Sequence, residues 1–90
     1  MYWNLYYVTA IIVYERFQER GITHLDLHGV RHHEVKDDVI DFCYQHQTDI
    51  PLIIICGNSV NMIKIVSQTL DDDDIEFSSP RFGIIRIEKI

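Results

Sequence analysis

Residues 24–35 read HLDLHGVRHHEV and place four histidines, two acidic residues and one arginine within twelve positions. Asp26 and His28 are two apart, and on a β-strand such residues share one face with Cα atoms roughly 6.5–7 Å apart. Histidine accepts or donates a proton near neutral pH, and a neighbouring carboxylate favours its charged form. The pair therefore suits activation of a ribose 2′-hydroxyl or stabilisation of a phosphate. The structural alternative is that His28 hydrogen-bonds the end of the strand and Asp26 caps a turn.

The other histidines of this stretch raise the question of a metal site, because imidazole is the commonest metal donor in proteins. His24, His32 and His33 have no convincing ligand spacing, and no acid or thiol completes a recognisable zinc pattern. We therefore expect neither a metal nor a cofactor. His32 and His33 instead fit exposed residues of a first helical turn that contact phosphate or bases. Glu34 and Asp37 have the ordinary role of complementing the positive end of that helix.

A second polar loop, CGNS, follows the apolar run that begins at Pro51. Free backbone amides at the start of the next helix are suited to binding phosphate, and Asn58 or Ser59 would add a donor. Simple N-capping of that helix by the same side chains explains these residues equally well. Both interpretations stay open at the level of the sequence.

The charge and composition of the chain limit the classes of function. Its 90 residues suffice for one modest core, and the net charge of −6 argues against non-specific adhesion to nucleic acid. Cys43 and Cys56 lie in apolar runs, which favours buried thiols and a reducing, cytoplasmic setting. The apolar stretch 5–14 is too short to span a membrane and lacks the features of a signal peptide, so we expect no membrane partner.

Hydrophobic periodicity predicts three helices and four strands. Residues 1–21 fit a helix whose charged last turn ends at Gly21, although their β-branched residues leave a strand as the alternative. The later elements alternate strand and helix and end in a hairpin with the turn SPR at 79–81. We expect strands at 23–27, 51–56, 75–78 and 82–90, a helix at 33–47, and a helix from the GNS loop to the acidic run 71–74.

This order of elements predicts an α/β fold, a two-layer βαβαββ sandwich with a mixed four-stranded sheet and an added N-terminal helix. We expect the first three strands to run parallel, the last antiparallel, and two helices to cover one face. Both polar loops then emerge at the carboxyl edge of the sheet, where ligands of α/β folds bind. Arg31, Lys36 and Arg81 lie near this edge and 71–74 at the far end. The hairpin turn brings Arg81 and Phe82 beside His28, with Arg81 as a phosphate contact and Phe82 as a core aromatic.

The motif LDLHG resembles the small MutS-related (Smr) domain, when Glu34, the apolar strand with its glycine turn and the final hairpin are taken together. The resemblance covers 22–90 and leaves 1–21 as a helical extension. It implies a fold similar to the C-terminal domain of a bacterial translation initiation factor, nucleic-acid binding and, in several members, endonuclease activity. In that family the Asp and His of the motif, here Asp26 and His28, are tied to cleavage. The chain departs from the family's Gly-x-Gly turn, because Ser59 replaces the second glycine.

These observations lead to the hypothesis of a small, metal-independent Smr-type endonuclease that acts on RNA, with DNA nicking as the less favoured activity. Asp26 and His28 are the expected catalytic residues. A non-catalytic RNA- or ribosome-binding module on the same fold is one alternative. An assembly module, in which the aromatic N-terminal helix pairs with another copy, is the other. The expected nucleic-acid contacts are Gly29, Arg31, His32, His33, Lys36, Gly57, Asn58, Ser59 and Arg81.

Overall fold

The computed structural model of the protein describes residues 15–90 as a small α/β protein with a five-stranded mixed sheet and two helices. The strands are Arg16–Glu19 (β1), Ile22–Asp26 (β2), Leu52–Ile55 (β3), Glu76–Arg81 (β4) and Ile84–Lys89 (β5). The helices are His32–Gln45 (α1) and Val60–Asp72 (α2), and a short 3₁₀ turn spans Gln47–Asp49. Within residues 15–90, neither helix combines the length and the apolar character that crossing a membrane requires.

The sheet has the strand order β1-β2-β3-β5-β4. β2 and β3 are parallel, whereas β5 is antiparallel to both β3 and β4. β2, β3 and β4 therefore share one direction and β5 opposes them, which confirms the strand directions predicted from the sequence. The chain places β5 between β3 and β4, so the last strand of the sequence lies inside the sheet and β4 forms its edge.

The core lies between one face of the sheet and the two helices. Alternate residues of β2, β3 and β5 face the helices, and register pairs such as Leu25 with Ile54 and Leu52 with Ile87 are fully buried. Each helix contributes an apolar stripe at three- and four-residue spacing, as an amphipathic helix must. The helical core residues are Val35, Val39, Phe42, Cys43, Met62, Val66 and Leu70.

The structure corrects the end of the predicted N-terminal helix, because residues 16–19 form β1. β1 pairs antiparallel with β2 through a two-residue turn at Arg20 and Gly21, both of which have positive φ as such hairpins require. Arg16 faces the helices, where its guanidinium donates to Asp41 at 2.9 Å, and Phe17 on the other face stacks on His24. The remainder of that predicted helix, residues 1–14, lies outside the described residues.

The final hairpin also differs from its predicted form. β4 runs through Ser79, Pro80 and Arg81, and the turn is formed by Phe82 and Gly83. Pro80 is accommodated because β4 is an edge strand and has a register shift between Ser78 and Arg81. The prediction of a turn at 79–81 was therefore wrong, because the turn lies at 82–83, although it is still at the carboxyl edge of β3.

Candidate nucleic-acid site

The two polar loops emerge together at the carboxyl edge of the parallel strands. The Leu27 amide donates to the Ile55 carbonyl at 3.0 Å, which continues the pairing of β2 and β3 by one residue. His28 and Gly29 form the turn after β2, and Gly57 and Asn58 form the turn after β3. Both turns lead into a helix, so the predicted neighbourhood of the two loops is confirmed.

Asp26 and His28 are connected through the main chain of His28. The Asp26 Oδ1 atom accepts a hydrogen bond from the His28 amide at 2.9 Å. β2 ends at Asp26, so His28 belongs to a turn, and the expectation that both residues share one face of a strand was wrong. Aspartate forms such local bonds to the amide two residues later and thereby stabilises turns. Asp26 therefore caps a turn, as the structural alternative predicted, and this turn holds His28 in place.

His28 is exposed and lies against the second loop. A Cβ atom built on Gly57 would lie 3.5 Å from the His28 Nδ1 atom. The turn between β4 and β5 packs closely against Gly57, because a Cβ atom built on Gly83 would lie 2.2 Å from the Gly57 carbonyl oxygen. The Cys56 amide also donates to the Gly83 carbonyl at 2.7 Å. The three turns therefore form one continuous surface, with His28 on its exposed side.

Ser59, the last residue of the GNS loop, has a structural role. The Ser59 hydroxyl accepts a hydrogen bond from the Met62 amide at 3.1 Å and thereby caps α2. Asn58 is exposed and leaves the cap to its neighbour. The capping interpretation of GNS is thus observed for Ser59, and one amide of the helix start is already satisfied by it.

The start of α1 is built differently. Arg31 occupies the N-cap position, and no side chain caps the first turn. The side chains of Arg31, His32, His33 and Lys36 are all exposed, as is Gly29 before them. Because uncapped amides and the positive end of a helix both favour anions, this turn offers basic and hydrogen-bonding groups to solvent. Gly29, Arg31, His32 and His33 therefore follow His28 as exposed residues of one turn, whereas Lys36 lines an open depression with Asp37, Asp41 and Asp73 and is not part of that turn.

Four acidic residues lie beside the same loop. Partial burial raises the pKa of the Glu15 carboxyl, and repulsion by Asp38, Glu34 and Asp26 raises it further, against an opposing effect of Arg16. The pKa of Asp38 is likewise raised, by burial and then by Glu34. Sequence reasoning missed this group, although the spacing of Glu34 and Asp38 by four residues on one helix was a usable signal.

The acidic run 71–74 lies away from the loops, as predicted. The Tyr44 hydroxyl, near the end of α1, donates to Asp73 Oδ2 at 3.2 Å, which places this run at the opposite end of the helix layer from His28. Lys36 shares an open surface depression with Asp37, Asp41 and Asp73. The negative charge near the site therefore comes from the four acidic residues beside the first loop.

The hairpin places Arg81 and Phe82 at the same edge as Gly57. Arg81 is exposed and lines a groove on the helix-free face of the sheet with Ile55 and Ile84. Phe82 is 64% exposed, so the expectation of a core aromatic was wrong. The two-residue turn at 82–83 packs against Gly57 and keeps the Phe82 side chain outside the core. Phe82 is thus an exposed aromatic neighbour of the site that sequence reasoning assigned to the interior.

Within residues 15–90, no three histidine, cysteine, aspartate or glutamate side chains are arranged to hold a metal ion. Comparisons of the chain with known protein families, with curated proteins and with solved structures found no match.

Proposed function

We propose that this protein is a small endoribonuclease in which the His28 side chain takes a proton from the substrate and Asp26 positions His28. The observation that carries the proposal is the bond from the His28 amide to Asp26 Oδ1, which fixes the turn while the residue stays exposed beside Gly57. A solvent-accessible imidazole carried by a fixed backbone is suited to proton transfer to a bound substrate. The resemblance of LDLHG to the Smr domain supports the same assignment.

The chemistry requires RNA because the nucleophile is the ribose 2′-hydroxyl. His28 takes the 2′-hydroxyl proton as the 2′-oxygen forms a bond to phosphorus and the bond from phosphorus to the 5′-oxygen breaks. The departing 5′-oxygen takes a proton from solvent water, and His28 then releases its proton to solvent. In this proposal the first turn of α1, with Arg31, His32 and His33, binds the phosphate. This reaction uses no redox step and leaves a cyclic phosphate and a 5′-hydroxyl.

A second candidate, a non-catalytic RNA-binding module, is favoured by one observation. The Asp26 carboxylate contacts the main chain of His28, which is a structural role that needs no catalysis. In this candidate the same turn is a rigid docking surface, and Arg31, His32 and His33 supply the affinity. The two candidates share a binding surface and differ only in what His28 does.

Labelled RNA and DNA of the same sequence, incubated with and without chelator, separate these candidates. We expect cleavage of RNA alone, unaffected by chelator, and a loss of about 100-fold or more in His28→Ala, because general acid–base catalysis contributes about that much. His33→Ala is the matched control, since this exposed histidine is close in sequence and its loss should weaken binding without abolishing cleavage. Binding of RNA without cleavage by the unmodified protein would establish the second candidate instead.

A further inference from the structure

The turn between β4 and β5 carries an exposed phenylalanine at the edge of the sheet where the proposed site lies. Phe82 is 64% exposed, more than any other large hydrophobic side chain of residues 15–90. The turn requires a glycine at its second position, where Gly83 has a φ of +81°, but turns of this length do not require an aromatic residue at their first position. Neither the core nor the turn therefore accounts for the phenyl ring.

The backbone that carries Phe82 is held from both sides of the hairpin. The Cys56 amide donates a hydrogen bond to the Gly83 carbonyl at 2.7 Å, which ties the turn to the end of β3. The Ser79 hydroxyl donates to the Ile84 carbonyl at 3.1 Å, which ties β4 to the residue after the turn. Because this backbone is fixed before any ligand arrives, a contact with the ring costs little further ordering of the chain.

The same contacts keep Phe82 close to His28. Gly83 packs against the Gly57 carbonyl, and a Cβ atom built on Gly57 would lie 3.5 Å from the His28 Nδ1 atom. Phe82 is bonded to Gly83, and the Cα atoms of neighbouring residues are about 3.8 Å apart. The two residues that lie between Phe82 and His28 are thus glycines without side chains, so one strand of nucleic acid can contact both the phenyl ring and the imidazole.

The charge of the chain favours a contact that does not depend on phosphate. The net charge is −6, and the carboxylates of Glu34 and Asp38 lie near the first turn of α1. Lysine and arginine contacts to phosphate normally supply most of the affinity for nucleic acid, and these acids oppose them. Stacking of a base on an aromatic side chain is largely independent of charge. An exposed phenyl ring therefore supplies affinity that the electrostatics of this surface do not.

The proposed reaction also needs a nucleotide that is free to leave a helix. The attacking 2′-oxygen must lie in line with the departing 5′-oxygen, because the reacting atoms have to be aligned before the bond forms. A base-paired, stacked strand holds the ribose away from that alignment. Bases of single-stranded RNA can splay out, and proteins hold such bases by stacking them on aromatic side chains.

We propose that Phe82 is the stacking platform for a base beside the cleaved bond, and that it makes single-stranded RNA the substrate class of this site. The inference rests on the proposed function, because it names the substrate of the same site. Phe82 binds and orients the strand, whereas proton transfer belongs to His28. Since every base has an aromatic face, the contact should tolerate all four bases.

Binding is measured by fluorescence anisotropy with end-labelled RNA whose riboses are all 2′-O-methylated, which blocks the nucleophile and prevents cleavage. We expect the parent protein to bind the single strand at least about 10-fold more tightly than the duplex of the same sequence. Phe82→Ala should lose about 10-fold or more in affinity for the single strand, the usual scale of one stacked base, with an unchanged salt dependence. Tyr44→Ala is the matched control, because Tyr44 is an exposed aromatic residue at the far end of α1, and its affinity should equal that of the parent.

Two further variants separate stacking from general apolar contact. Phe82→Leu keeps an apolar side chain without an aromatic face, and its affinity should fall nearly as far as that of Phe82→Ala. Phe82→Trp should retain the affinity of the parent. Its added tryptophan emission, taken as the difference from the parent with its single Trp3, should be quenched by the bound single strand. Parental affinity in Phe82→Leu, or an unquenched tryptophan at position 82, would overturn the stacking contact.

Cleavage assays with unmodified RNA distinguish failure of this inference from failure of the ribonuclease proposal. A parent protein that cleaves RNA, together with equal affinity of Phe82→Ala and the parent for the single strand, would overturn the role of Phe82 alone. A preference for single strands that depends on Phe82, in a parent that does not cleave RNA, would support the stacking contact and reject the ribonuclease. A parent that neither binds nor cleaves RNA would overturn both.

Discussion

The two turns that lead into the helices have the same topological position but are stabilised by different means. The turn after β3 is covered by the hairpin, and α2 has the Ser59 cap. The turn after β2 depends on the carboxylate of Asp26, and α1 begins without a side-chain cap. The difference indicates a division of roles, because the packed turn has little freedom to accept a ligand while the turn of His28 keeps its polar groups exposed.

Gly83→Ala should produce the largest loss of stability, because it disrupts the packing of the hairpin against the turn after β3. A methyl group there would lie 2.2 Å from the Gly57 carbonyl oxygen, and the residue has a φ of +81° that L-residues rarely adopt. We expect a loss of roughly 3 kcal/mol or more in the free energy of unfolding, measured by urea denaturation.

Gly21→Ala is the matched control for that substitution. Gly21 has a similar φ of +79° but has no atom within 4 Å of the added Cβ, so it carries the backbone strain without the collision. We expect a loss of about 1 kcal/mol. If the two variants lose equal stability, the contact between Gly83 and Gly57 does not stabilise the turn after β3.

Asp26→Ala tests the first turn through its activity. Removing the acceptor of the His28 amide releases the turn, and we expect RNA cleavage to fall about 100-fold, which is the scale of one general acid–base contribution. Asp26→Asn retains an oxygen that accepts the same bond, since asparagine forms the same local turn. Cleavage near the normal rate in Asp26→Asn would establish a positioning role. A comparable fall in both variants would show instead that the negative charge acts on the imidazole.

The difference between the two helix starts is tested by removing the side-chain cap of α2 and adding one to α1. Ser59→Ala should destabilise the protein by about 1 kcal/mol, the usual value of an N-cap. Arg31→Ser supplies α1 with the cap it lacks, and we expect a small gain in thermal stability together with weaker RNA binding and a reduced salt dependence. An unchanged salt dependence in Arg31→Ser would remove Arg31 from the binding surface.

The sequence predicted the elements whose signals are local. Alternation at β2, the apolar run of β3 and the stripes of both helices led to the observed strand directions and to the meeting of the two loops. β1 was missed because RFQER, with its charges, satisfies a helix end as well as an edge strand, and only pairing with β2 decides between them. The turn position of His28 was missed for a similar reason, since whether Asp26 extends the strand or bonds the next amide depends on where the pairing with β3 ends.

The four acidic residues beside the turn after β2 give the smallest expected change in stability and the clearest pH dependence. Partial burial and the nearby Glu34 raise the pKa of Asp38 above its ordinary value of 3.8. The folded state therefore binds this proton more tightly than the unfolded state, so stability falls as the pH rises from 3.8 through the raised pKa, and this loss of stability is complete above it.

Asp38→Asn removes this loss of stability, and because the carboxyl is largely solvated we expect a gain of only about 0.5 kcal/mol, or roughly 2–4 °C in Tm, at pH 7. Below pH 3.8 both states of the parent protein are protonated and the gain should vanish. Thermal denaturation of the parent and Asp38→Asn across this range measures the effect, and a gain that persists at acidic pH would mean that Asp38 acts through packing and not through repulsion by its acidic neighbours.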